Sequence, residues 1–139
     1  MSSIIVDCSV TMAWLFPDEA TPESEESLRI AITDGLLVPE IWPLEVANVL
    51  VMCERKARIN RQQSNQFVAR LRSLDLEIDL LGITEIFDKC IELSRDHGLT
   101  VYDATYLELA LRSKLTLHSK DRDLILAAQS AGASVVEIK

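Results

Sequence analysis

A zinc site cannot be assembled from this sequence. Its only histidines are His97 and His118, and neither falls at ligand spacing from the three cysteines. Cys8, Cys53 and Cys90 are odd in number, widely separated and set among apolar residues, the pattern of reduced core thiols in a cytoplasmic protein rather than a disulfide framework. Glycine and proline are scarce at four each against 48% hydrophobic residues, which excludes a disordered chain. No apolar run is long enough to span a bilayer, and the polar start Met1-Ser2-Ser3 does not resemble a secretory leader. Positive charge is also in deficit, with a net charge of −8. That excludes a binder held to nucleic acid by overall charge alone, although a local basic patch can still act.

The 139 residues suit a single domain, residues 1–139, with a real core. Short apolar runs alternate with helical segments. Ile4-Ile5-Val6, Leu36-Leu37-Val38, Leu76 to Leu81, Leu115-Thr116-Leu117 and Ser134 to Ile138 read as strands. Between them, helices are expected over Val10–Phe16, Ser27–Asp34, Leu44–Ala57, Arg61–Ser73 after the cap Asn60, from Thr84 to His97-Gly98, Val101–Ser113 and Asp121–Ser130. Pro17 to Glu26 reads as an acidic loop. The alternation implies an α/β fold with a mostly parallel sheet of four to five strands and helices on both faces.

In such sheets ligands bind outside the carboxyl ends of the strands, and four acids map to that edge. Asp7 directly follows Ile4-Ile5-Val6. Glu45 lies in the first turn of the helix after the second strand, and Asp121 opens the helix after Leu115-Thr116-Leu117. Asp103 begins a helix that runs antiparallel to the strand it leads into, which brings its start to the same edge. Thr100 and Asp103 also fit the capping pattern [ST]-x-x-[DE], so a simple helix cap competes with a functional role. At ~100° per residue, Asp103 stacks with Tyr106, Leu107 and Ala110, while Thr105, Glu108 and Arg112 form a polar, solvated face on the other side. Asp103 therefore points inward. Grouped inward carboxylates repel one another, and no matching arginine or lysine set is available. Oxygen-only ligands favour Mg²⁺ or Mn²⁺. Ser9 and Ser119, each two residues from a site acid, either orient a ligand or serve as ordinary cap and turn residues. Asp123 reads as a first-turn helix acid. Arg55, Lys56, Arg58 and Arg61 place four cations in seven residues, a pattern that by itself describes a solvated helix end.

Four stretches, I-I-V-D-C-S-V-T-M-A-W-L at 4–15, P-E-I-W-P-L-E-V-A-N-V-L at 39–50, L-T-V-Y-D-A-T-Y-L-E-L-A at 99–110 and L-H-S-K-D-R-D-L at 117–124, resemble PIN-domain ribonucleases, in particular the VapC-type toxins of toxin–antitoxin pairs. The resemblance spans essentially the whole chain. It implies a PIN-like three-layer α/β/α fold and a Mg²⁺- or Mn²⁺-dependent endoribonuclease with Asp7, Glu45, Asp103 and Asp121 as its catalytic and metal-binding quartet. Ser119 stands where a threonine is common in the family, so a hydroxyl is kept. The resemblance also implies a cytoplasmic homodimer held by a VapB-type antitoxin, whose basic side chain can enter the acidic pocket. The RNA backbone would lie on Arg55, Lys56, Arg58 and Arg61, with Lys120 and Arg122 as further candidates. Two other readings compete. One is a PIN-like interaction module without catalysis. The other is a receiver-type phosphoacceptor domain, for which Asp79 before Leu80-Leu81 is a poor acceptor match.

Overall fold

A computed structural model describes residues 2–139. Five short strands form its centre: β1 (Ile5–Val6), β2 (Leu36–Pro39), β3 (Leu76–Asp79), β4 (Leu117–Ser119) and β5 (Val135–Glu137). All pair in parallel, β2 with β3 and β1 with β4 and β5 beyond it. A parallel bridge between Ile4 and Leu36 joins the two groups. There the Ile4 N–H donates to the Gly35 carbonyl at 3.2 Å and the Leu37 N–H to the Ile4 carbonyl at 2.9 Å. The order is therefore β3-β2-β1-β4-β5. It reverses between β1 and β4, and the crevice at such a reversal is where a doubly wound sheet accepts ligands.

The helices are α1 (Cys8–Leu15), α2 (Pro22–Asp34), α3 (Ile41–Arg55), α4 (Arg61–Arg72), α5 (Ile83–Glu85), α6 (Ile91–His97), α7 (Val101–Ser113) and α8 (Arg122–Ala131). Right-handed crossovers place α1–α4 on one face and α5–α8 on the other. The packing of α1 on α2 and α3, and of α7 on α6 and α8, agrees with this. Ile5, Val6, Val10, Leu36, Val38, Leu107, Leu117 and Leu124 fill the space between the layers and are fully buried. Among the described residues no helix is long and apolar enough to cross a membrane. Cys53 and Cys90 are buried and Cys8 half-buried, all unpaired.

Several expected boundaries move, each for a local reason. Helix α1 starts at Cys8 rather than Val10, because Asp7 caps it. The expected acidic loop over Pro17–Glu26 is instead a 3₁₀ turn, Pro17–Glu19, followed by the start of α2. There Thr21 and Ser24 form a reciprocal capping box with Pro22 at the first helical position. Helix α3 begins at Ile41 rather than Leu44, so Glu45 lies in its second turn and not its first. It stops at Arg55, and Ala57 beyond it adopts φ +57°. The helix expected from Thr84 starts at Ile83 and is interrupted by a π turn, Ile86–Cys90. Strand β3 ends at Asp79 rather than Leu81. Strand β4 lies two residues later than Leu115–Leu117, because Leu117 is the residue in register with Ile5. Ser119 thereby becomes the last residue of a central strand. Gly35 carries φ +98°, and a Cβ there would sit 3.1 Å from the Asp75 carbonyl oxygen and from Ser3 Oγ. Only glycine closes α2 so near to β3.

Candidate active site

Asp7 is the fixed point of the site. It directly follows β1, caps α1 and is only 6% exposed. Its Oδ1 accepts from the Val10 N–H at 3.1 Å and from the Ser9 hydroxyl at 2.5 Å. Its Oδ2 accepts from the Ser119 hydroxyl at 2.5 Å. Each serine oxygen accepts in turn, Ser9 from the Lys120 N–H at 3.1 Å and Ser119 from the Asp121 N–H at 2.9 Å. Both serines thus bind the strand-end carboxylate to the β4–α8 connection. Burial pushes the Asp7 carboxyl above the usual carboxylate range. The three donors pull it down, and the charge of Asp121 pushes it up again.

Glu45 projects from α3 and accepts from the Tyr106 phenol at 2.6 Å. Its carboxyl is raised first by burial, with Tyr106 opposing and the charges of Asp103 and Asp7 adding to the rise. Asp103, half-buried in the first turn of α7, is raised by burial, then by Asp121 and Asp7, with a smaller addition from Asp123. Asp121 caps α8 through the Leu124 N–H at 3.2 Å. The four acids, from the end of β1, α3, α7 and the start of α8, therefore share one edge, where Asp7 feels the charge of Asp121, Glu45 that of Asp103 and Asp7, and Asp103 that of Asp121 and Asp7. The same field, after burial, pushes the Cys8 thiol up to about 12. Burial first, and then Glu45 beside it, holds the Tyr106 phenol above its ordinary value, so that tyrosine stays a neutral donor.

The helix-cap alternative for Asp103 is half right. Thr100 does cap α7, accepting the Asp103 N–H at 3.1 Å. Asp103 does not complete a capping box, in contrast to Ser24 on Thr21 and Gln63 on Asn60. Its carboxylate is left to face the other acids. Asp123 sits exposed in the first turn of α8, as expected of a helix-start acid.

The donor set fits a hard divalent cation. It is made of oxygen alone, and its members raise one another. Among the described residues none of the four acids belongs to an ion pair, since every arginine pair lies elsewhere. Neutral hydroxyls orient Asp7 and Glu45 without cancelling their charge. Among the same residues no three acidic, imidazole or thiol groups close into a ready-made cage. An ion that keeps part of its hydration shell, as Mg²⁺ does, suits such an open set.

Other residues behave differently from the sequence reading. Glu108 is not on a solvated face: it is 4% exposed and accepts from Arg112 Nε at 2.9 and 3.0 Å. Arg112 also grips both oxygens of Asp79, at 3.1 and 2.5 Å. Asp79, the acid a receiver domain would phosphorylate, is thereby engaged. Of the basic stretch, Arg55, Lys56, Arg58 and Arg61 are all exposed, but Arg58 also lies 3.5 Å over the Phe16 ring and pairs with Asp18 and Glu19. The stretch begins ten residues beyond Glu45, about 15 Å along the axis of α3. The link from Tyr106 to Glu45 was not read from the sequence. Its only trace there is the position of Tyr106 one turn after Asp103.

The PIN domain family model matches residues 4–129. Ribonuclease VapC3 of Pyrobaculum aerophilum is 26% identical over 121 residues, spanning 87% of this chain and 91% of the relative. A crystal structure of PAE2754 from Pyrobaculum aerophilum superposes with a TM-score of 0.71 at 21% identity, covering 97% of this chain and 84% of that one. A toxin–antitoxin complex from Klebsiella pneumoniae contains a chain that superposes at 0.65 with 19% identity, covering 98% and 100%. With the family model matching residues 4–129 of the 139 and the fold shared with a solved relative, the chain belongs to the PIN domain family.

Proposed function

We propose that this chain is a Mg²⁺- or Mn²⁺-dependent endoribonuclease and the toxin of a toxin–antitoxin pair. The observation that carries this reading is the convergence of Asp7, Glu45, Asp103 and Asp121 with no cationic side chain among them. Support comes from the names of its relatives, one a ribonuclease and one a chain of a toxin–antitoxin complex. When bound, a divalent cation supplies charge stabilisation at phosphorus and promotes ionisation of the attacking water. The chain's own part is to hold the ligands. Ser9, Ser119 and the Val10 N–H fix Asp7, and Tyr106 fixes Glu45. Purified chain freed of any partner is expected to cut RNA with Mg²⁺ or Mn²⁺ and to be silent in EDTA. Cleavage undiminished by the chelator would remove the cation from the mechanism.

Arg55, Lys56 and Arg61 are the backbone-phosphate contacts of this reading, with Lys120 and Arg122 nearer the acids. Arg58, engaged with Phe16, Asp18 and Glu19, joins them only with its free edge. Replacing Arg55, Lys56 and Arg61 with alanine should weaken RNA binding and reduce the salt slope by about one unit for each phosphate no longer neutralised. A salt slope equal to wild type would return the stretch to plain solvated surface.

A VapB-type antitoxin with a basic side chain for the acidic site, and a cytoplasmic setting that keeps three thiols reduced, complete the proposal. So does a homodimer. A groove of about 350 Å³ lined by Ile41, Leu44, Leu81, Ile86, Val101 and Tyr102 leaves Leu44 and Tyr102 more than 60% exposed. It lies on the helices that carry Glu45 and Asp103, and a second copy is its occupant. Light scattering should give twice the monomer mass; a monomer at micromolar concentration would exclude this interface.

A further inference from the structure

We infer that Tyr106 is a positioning residue for Glu45, a neutral bolt between α3 and α7 that sets the spacing of the acids on those two helices. The inference rests on the cation-dependent reading of the site. Tyr106 is 1% exposed and is the largest of the fully buried side chains among the described residues. Among the same residues its hydroxyl has one hydrogen bond, to Glu45 Oε1 at 2.6 Å across 61 positions of sequence. Glu45 has no other partner there. Its side chain has three rotatable bonds and stands in the repulsive field of Asp103 and Asp7. Without a donor it would swing toward water, since nothing else opposes that repulsion.

Tyr106 follows Asp103 by one helical turn. The same face of α7 therefore presents one acid and the donor that holds another. An arginine or lysine in this place would also hold Glu45, but it would cancel the charge that a cation needs. A phenol orients without neutralising. Ser9 and Ser119 do the same for Asp7, so the two hydroxyl-held acids of the site follow one design. Phenylalanine would pack equally well at position 106, so the hydroxyl is explained by the bond it makes.

The test compares wild type, Tyr106→Phe, Glu45→Gln and the double variant. In crystals of the metal-free protein, the Glu45 carboxylate of Tyr106→Phe should be displaced from its wild-type position, because the donor that holds it is gone. The Mn²⁺ concentration giving half-maximal RNA cleavage should rise about 10- to 100-fold in Tyr106→Phe, with KM for RNA within about twofold of wild type. Glu45→Gln should be at least as impaired, and adding Tyr106→Phe to it should change nothing further. A Glu45 carboxylate unmoved in Tyr106→Phe, or losses that add in the double variant, overturns the positioning role. If wild type neither cuts RNA nor responds to Mn²⁺ while the carboxylate still moves in Tyr106→Phe, the cation reading has failed. The positioning role falls with it, although the hydrogen bond stands.

Discussion

Asp103→Asn is expected to lose RNA cleavage by roughly 10²- to 10³-fold, the scale of removing one preorganised charged group, while the metal-free protein becomes more stable. The second half of that result is the diagnostic one. In the metal-free fold Asp103 is raised by burial and by the charges of Asp121 and Asp7, so its ionised form opposes folding. A carboxyl with a raised folded-state pKa favours the fold below its unfolded value, and that advantage is lost as pH rises through the folded value. Asparagine keeps the shape and never ionises. The variant's advantage over wild type should therefore be full at neutral pH and vanish in acid, where Asp103 is protonated in both the folded and the unfolded wild type. Taking the difference between the two proteins cancels His118, whose burial lowers its own pKa and acts in the opposite direction. Because Asp103 is only half-buried, solvent screening limits the gain to roughly 0.5 kcal/mol. Mn²⁺ should then stabilise the wild type more than the variant, since only the wild type keeps the full ligand set. A simple helix cap predicts the reverse, a small loss of stability and intact cleavage. Thermal melts at several pH values, with EDTA and with Mn²⁺, separate the two.

Arg112→Met should cost about 3 kcal/mol of stability without touching the cation response of the remaining folded protein. The reason is Glu108, 4% exposed and bound to Arg112. Truncating the guanidinium leaves a buried carboxylate with no counter-charge, and it also frees Asp79 at the end of β3. Removing the buried acid as well, in Glu108→Leu with Arg112→Met, should recover most of the loss, because no buried carboxylate is then left without its counter-charge. Denaturant unfolding of the two variants measures this directly. A loss under about 0.5 kcal/mol for Arg112→Met, the ordinary scale of a surface pair, would mean that Glu108 is solvated after all.

That ion network also marks where the sequence stops being readable. A helical wheel sorts residues by angle, and it places Glu108 and Arg112 with Thr105 on one polar side. What it lacks is the neighbour: Asp79 arrives from 33 residues away and converts a solvated stripe into a covered charge network. The same limit hides the bond from Tyr106 to Glu45 and the seating of Arg58 on Phe16. The four acids are legible for the opposite reason. Each lies in or near the junction between a strand and the next helix, or in the first turn of a helix whose direction the alternation of elements dictates. Their convergence needs only topology. Ser9 and Ser119 are legible as hydroxyls near the site, but not their shared hold on Asp7, which depends on β4 ending at Ser119 rather than at Leu117. Thr21-Pro22 carries a helix-start signal that outweighs the acidic character of Pro17–Glu26. The π turn at Ile86–Cys90 has no cause visible in its residues.

The most direct measurement of the central claim is anomalous X-ray diffraction from crystals of this chain grown with Mn²⁺. The account predicts anomalous peaks bounded by the carboxylates of Asp7, Glu45, Asp103 and Asp121, and their absence in Asp103→Asn crystals grown in the same Mn²⁺. Mn²⁺ bound only elsewhere, or no anomalous signal between these four acids at millimolar Mn²⁺, would contradict it.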